Sequence, residues 1–175
     1  MNKLTQLQRD ALKEALKLDG LSIEHKNTLK AILDSNKNNE IIPKLFVDGA
    51  ADLHSKTAGI GGVVYINEGE VANFSEPLYD KTNNESEYLS LIKGIQVIHE
   101  LKFGNVLIYS DSELIVKQVT GEYKIKNDRM KKLNDEVKLN LRKLTSWSIE
   151  HVRREKNTRA DELSKLGMEE ARGGK

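Results

Sequence analysis

The chain has 175 residues, a formal net charge of +1, 38% hydrophobic and 31% charged residues, and no cysteine. That length suffices for one ordinary domain and an appendage, and the lack of cysteine excludes disulfide scaffolds, zinc–thiolate sites and cysteine nucleophiles. A near-neutral chain is no polycation, so any nucleic-acid binding must come from a local patch.

No apolar run is long enough to span a membrane, and Met1–Gln6 lacks the apolar stretch of a secretory signal. The sequence therefore reads as cytoplasmic, with no membrane partner. Residues 1–40 contain no aromatic side chain. Leu4, Leu7, Ala11, Leu12, Ala15, Leu16 and Leu18 fit one helix face, with Asp19–Gly20 as its stop. Ser22 caps a second helix carrying Ile23, Leu29, Ile32 and Leu33. Asp34–Asn39 reads as polar linker. The expectation is a helical hairpin of unknown role over 1–40, docked on the domain that follows or on a protein partner, and a catalytic domain over 41–175.

From Ile42 the pattern turns to strands: Leu45–Val47, then Gly59–Ile66 with glycines that admit another backbone or a bulge, then Val71–Phe74. Thr82–Asn84 precedes a helix with Leu91, Ile95, Ile98 and Leu101 on its core stripe and Glu87 in its first turn. A strand over Val106–Ser110 ends on Asp111. Ser112 opens a short helix closed by Gly121. Asn127 or Asp128 caps a longer helix with Met130, Leu133, Val137, Leu141 and Leu144. Trp147 reads as core on a fifth strand, Ser146–Val152. The loop Arg153–Asn157 leads to a last helix that buries Ala160, Leu163 and Leu166 and carries Asp161 in its first turn. The order β-β-β-α-β-α-α-β-α predicts an α/β fold, a mixed five-stranded sheet flanked by helices.

Four acids stand out by placement. Asp48 and Asp111 tip two strands, and Glu87 and Asp161 open two helices. Such a cluster repels itself unless cations lie within it. With no cysteine and no paired histidines, magnesium or manganese suits it best. Each acid also has a plain structural use, as turn residue, first-turn acid or cap, and it is the set of four that points to metal chemistry.

Asp48–Gly49–Ala50, Thr82–Asn83–Asn84–Glu85–Ser86–Glu87, Tyr109–Ser110–Asp111–Ser112 and Asn157–Thr158–Arg159–Ala160–Asp161–Glu162–Leu163 resemble, in order, the motifs of type 1 ribonuclease H. The resemblance runs from about Ile42 to Met168. It implies the family's mixed five-stranded fold and metal-dependent endonucleolytic hydrolysis of the RNA strand of RNA–DNA hybrids, leaving 5′-phosphate ends. It implies that Asp48, Glu87, Asp111 and Asp161 are the catalytic carboxylates and hold two Mg2+ ions, with Mn2+ as substitute. It further implies that Asn83 and Asn84 touch the hybrid's minor groove, that Thr82 lies near a DNA-strand phosphate, and that Gly49 lets the RNA backbone approach Asp48.

The chain departs from the family's pattern twice. The loop Arg153–Asn157 has no histidine, and His151 belongs to the preceding strand, so Arg153, Arg154 or Lys156 is expected to meet a phosphate there. The basic protrusion of some members shrinks to Gly121–Lys126, which leaves grip to Lys124, Lys126, Arg129, Lys131 and Lys132 or to other residues. The run Lys124–Lys132 otherwise reads as a solvated helix face, and His25, His54 and His99 as surface residues. Two other readings are a catalytically silent hybrid-binding or scaffold protein and a proofreading-type exonuclease. The latter needs an Asp-x-Glu on the first strand, which Asp48–Gly49–Ala50 lacks.

Overall fold

The computed structural model describes residues 4–37 and 41–174. The chain divides into two compact units, Met1–Ile41 and Ile42–Lys175. In the first, α1 (Gln6–Ala15) starts at Thr5, whose side chain and that of Gln8 cap each other's backbone amides in a capping box. Ser22 Oγ accepts from the His25 amide at 3.2 Å and opens α2 (Ile23–Lys37). That helix runs through Asp34–Lys37, two thirds of the expected linker, while Asn38 and Asn39 lie outside the described residues. Leu7, Leu18 and Ile23 are exposed.

The second unit holds a five-stranded sheet in the order β3-β2-β1-β4-β5. The strands are β1 (Lys44–Asp52), β2 (Thr57–Ile66), β3 (Gly69–Tyr79), β4 (Asn105–Ser110) and β5 (Ser146–His151). β1, β2 and β3 form an antiparallel meander, while β4 pairs parallel with both β1 and β5. The mixed sheet matches the expected architecture. Two strands run well past the C-terminal ends of their sequence signals. β1 continues past Asp48–Gly49 because β2 pairs with it down to Asp52, overriding a dipeptide that favours turns. β3 continues through Pro77, which an edge strand tolerates because the missing amide has no outer neighbour to serve.

The α-helices of this unit are α3 (Asn83–Glu100), α4 (Glu113–Thr120), α5 (Asp128–Leu141) and α6 (Thr158–Gly173), with a 3-10 turn at Arg154–Lys156. Leu45 and Val47 of β1, Val106 and Ile108 of β4, and Ile149 of β5 join Leu91, Ile95, Ile98, Ile115, Val137 and Leu141 in one buried cluster. So α3, α4 and α5 cover one sheet face. α6 crosses the other over β1–β3, and there the β2 glycines decide its approach. A Cβ on Gly61 would lie 2.2 Å from the Ser164 amide nitrogen, and one on Gly59 2.2 Å from the Ser164 carbonyl oxygen. The close backbone approach that these glycines predict is therefore that of α6.

Some expected core residues lie elsewhere. Trp147 is 40% exposed on the edge strand β5, and Leu166 is 53% exposed on α6. Leu144 is buried but lies beyond the end of α5. His25 and His54 are exposed, whereas His99 is half-buried and its Nε2 lies 3.1 Å from the Asn140 carbonyl oxygen. Among the described residues no helix is long and apolar enough to cross a membrane.

Candidate active site

The site forms where two strands of unequal length part. The parallel β1–β4 ladder closes at Val47 opposite Ser110, while β1 goes on beside β2 to Asp52. Asp48 is thus the first β1 residue beyond the reach of β4, and Asp111 is the first residue after β4. Asp48 does not tip its strand, as the sequence suggests; it lies mid-strand at the edge of a step. Glu87 comes from α3, in its second turn and not its first, since the helix begins at Asn83. Gly49 sets that helix's height: a Cβ there would fall 2.3 Å from the Glu87 amide nitrogen. The clearance at Gly49 is thus filled by α3, and the Gly49 amide donates to the Glu87 carboxylate. Asp48, Glu87 and Asp111 each place an oxygen within 4.8 Å of the others.

Asp161 stands beside this trio, in the first turn of α6. Its carboxylate meets Arg154 Nη2 at 2.5 Å and Lys165 Nζ at 2.5 Å. Two further residues, unmarked by the sequence patterns as site residues, hold the acids together. Ser164 is fully buried; its hydroxyl donates to the Asp48 carboxylate and lies 2.9 Å from the Asp161 carbonyl oxygen. Asn157, 1% exposed, donates through Nδ2 to the Val47 carbonyl and to Asp111 Oδ1, both at 3.0 Å. One amide group thus fills the step and ties the last β1–β4 pair to the acid after it.

Burial dominates the electrostatics. It pushes the Asp48 carboxyl up to about 7 against the Ser164 hydrogen bond, and Asp111 and Asp161 push the same way. Burial and then the charges of Asp48 and Asp111 push Glu87 up to about 9. Burial also opposes ionisation of Asp161, but Lys165 and Arg154 outweigh it and hold that carboxyl below its ordinary value. Carboxyls that resist ionisation at this spacing need positive charge nearby. Among the described residues, Glu87 Oε2 is buried without a hydrogen-bond partner, as a free ligand atom would be. All-oxygen donors, clustered and partly unsatisfied, fit a hard divalent cation.

The remaining expected substrate residues are spread around the acids. The Thr82 hydroxyl caps α3, donating to Glu85 Oε2 at 2.8 Å and accepting from the Glu85 amide at 3.3 Å. Asn83 and Asn84, the first two residues of α3, are exposed. Arg153 and Arg154 are exposed, and only Arg154 reaches an acid of the site; Arg153 lies 4.0 Å from Glu155. The Lys124–Lys132 cations are solvated, although Arg129 lies 3.5 Å from Glu85 at the start of α3. His151 is exposed at the end of β5, outside the loop. Spacing offered one clue to the missed residues: Ser164 and Lys165 follow Asp161 by three and four positions, and so share its side of the helix.

Comparison with known proteins agrees with this fold. The family described as "Reverse transcriptase-like" matches residues 46–167. The chain is 29% identical over 127 residues to "Ribonuclease HI" of Halobacterium salinarum, covering 72% of this chain and 64% of that one. The N-terminal RNase H domain of Rv2228c from Mycobacterium tuberculosis superposes with a TM-score of 0.73 at 27% identity, over 77% of this chain and 99% of that one. LC11-RNase H1, solved in complex with an RNA/DNA hybrid, gives a TM-score of 0.69 at 30% identity, over 74% of this chain and 98% of that one. With a mixed five-stranded sheet of this topology and a family match over more than half its length, the chain belongs to the ribonuclease H-like, reverse transcriptase-like family.

Proposed function

We propose that this chain is a ribonuclease H, an endonuclease that hydrolyses the RNA strand of RNA–DNA hybrids, with Asp48, Glu87, Asp111 and Asp161 as its catalytic and metal-holding carboxylates. The observation that carries the reading is the trio of acids with oxygens within 4.8 Å of one another, one of them with a buried oxygen that has no hydrogen-bond partner among the described residues. The similarity to LC11-RNase H1, solved with an RNA/DNA hybrid, supports the substrate class.

Two Mg2+ ions, or Mn2+ in their place, would supply charge to activate water and to stabilise the leaving oxygen. The chain's own residues do the rest. The β1–β2 ladder fixes the main chain of Asp48, and Ser164 and Asn157 orient Asp48 and Asp111. Lys165 and Arg154 keep Asp161 ionised beside the trio. Arg154, exposed and close to three of the acids, faces incoming phosphate where a loop histidine is missing, with Arg153 next to it. Asn83 and Asn84 offer amides that both donate to and accept from a 2′-hydroxyl. Thr82 holds them at the start of α3 through its cap. Gly49 acts through α3: its missing side chain lets the helix settle against β1, and its amide holds the Glu87 carboxylate beside Asp48.

Incubation of the full chain with a labelled hybrid and Mg2+ or Mn2+ tests this. The RNA strand is expected to be cut internally, and Asp111→Asn to lower the rate by about 1,000-fold or more. An intact hybrid with either metal rejects the reading, and binding without cleavage favours a silent hybrid-binding protein.

A further inference from the structure

The sheet face that carries the acids continues away from them as an open groove. Along β1, Lys44, Phe46 and Asp48 alternate onto one face, and Tyr109 of β4 stands on the same face two residues before Asp111, which follows the strand. Phe46 pairs with Tyr109, and Tyr109 with Glu150 of β5. α6 covers β1–β3 and leaves this corner uncapped. The rings of Phe46 and Tyr109 stack with centroids 4.7 Å apart and planes 24° apart, and Tyr65 meets Phe46 edge-on at 5.9 Å. The groove holds about 620 Å³; its cations are Lys44, Arg153 and Lys156 and its acids Glu150 and Glu155, the latter 4.0 Å from Arg153. Lys44 and Lys156 are exposed and form no ion pair among the described residues.

Aromatic rings standing on adjacent strands, with the exposed Lys44 and Lys156 at their rim, form the kind of surface on which single-stranded bases stack. Its register with the acids says which strand arrives. Tyr109 is two residues before Asp111, about 7 Å along the strand, and Lys44 is four before Asp48, about 13 Å. A strand whose phosphate lies on the acids can lay its next base on the ring pair and a further phosphate at Lys44. In a paired hybrid the bases turn toward the other strand, so only an unpaired nucleotide can do this.

We infer that the Phe46–Tyr109 groove is a docking site for an unpaired extension of the RNA strand, continuous with the hybrid being cut. The inference rests on the ribonuclease reading and deepens it: hybrids that end in an unpaired RNA segment are preferred substrates.

The test compares KM and kcat of the full chain with Mg2+ on a fully paired hybrid and on hybrids whose RNA strand continues unpaired for a few nucleotides at the 5′ or the 3′ end. Companion substrates carry an abasic RNA extension or an unpaired DNA extension. KM is expected to fall about tenfold for one RNA extension, with kcat unchanged. Tyr109→Leu, which keeps apolar bulk in the sheet, and Lys44→Gln, on the surface, are each expected to bring that KM within about twofold of the paired hybrid's. Their KM for the paired hybrid stays the same. Equal KM for all hybrids, a gain kept by the abasic extension, a gain only with the DNA extension, or a gain that survives in both variants overturns the inference while the ribonuclease reading stands. If no hybrid is cut, it is the ribonuclease reading that fails, and the groove's role with it.

Discussion

Asp48 and Glu87 are acids that ionise reluctantly, and this has a thermodynamic sign. Their folded-state values, about 7 and about 9, lie above the ordinary carboxylate values of 3.8 and 4.5. As pH rises from about 4, the unfolded chain loses these protons before the folded one does, so the folded state loses stability up to about pH 9. The metal-free protein is therefore expected to melt at lower temperature at pH 8 than at pH 5.5. Glu87→Gln should raise the pH 8 melting point by roughly 5 °C, equivalent to about 2 kcal/mol, while abolishing hybrid cleavage. A melting point lower than wild type at pH 8, read by calorimetry, would contradict the repulsion. The four acids themselves were legible, because each follows a distinctive run: an apolar strand, a threonine cap, a second apolar strand, a loop. What Asn157 and Ser164 hold was not. Their work is tertiary: Asn157 reaches back 110 residues to the Val47 carbonyl and Ser164 116 residues to Asp48, and no local pattern marks such a pairing.

At the scale of elements, α6 is placed by what β2 lacks. Gly59 and Gly61 let the helix backbone rest on the strand, which brings Asp161 and Ser164 over Asp48. Gly61→Ala would force its methyl into the Ser164 amide and the Ala160 carbonyl, both backbone atoms that cannot swing aside. The expected cost is about 3 kcal/mol in urea unfolding, with a fall in hybrid cleavage as α6 lifts its two site residues. Element order was readable because the strands, α3 and α5 carry clear periodicity. Element ends were not. Asp48–Gly49 has turn chemistry and yet continues a strand, since nine consecutive residues of β1 find partners on β2. Trp147 and Leu166 looked like core by residue type, but an edge strand and the outer side of α6 leave them in water.

For the molecule as a whole, the sheet, its core cluster and every candidate site residue belong to the unit Ile42–Lys175. A chain starting at Ile42 is expected to fold cooperatively and to cut hybrid within about threefold of the full chain's rate, since a unit with its own core folds alone. Circular dichroism melts and the cleavage assay check this, and a shortened chain without a cooperative melt would make the first unit part of the fold. The step between β1 and β4 carries one more consequence. An unfolded chain offers only scattered carboxylates, whereas Asp48 is locked by a complete ladder before any ion arrives. Cation capture then has little left to order beyond side-chain rotation, and affinity for the ion becomes a gauge of how much native sheet survives.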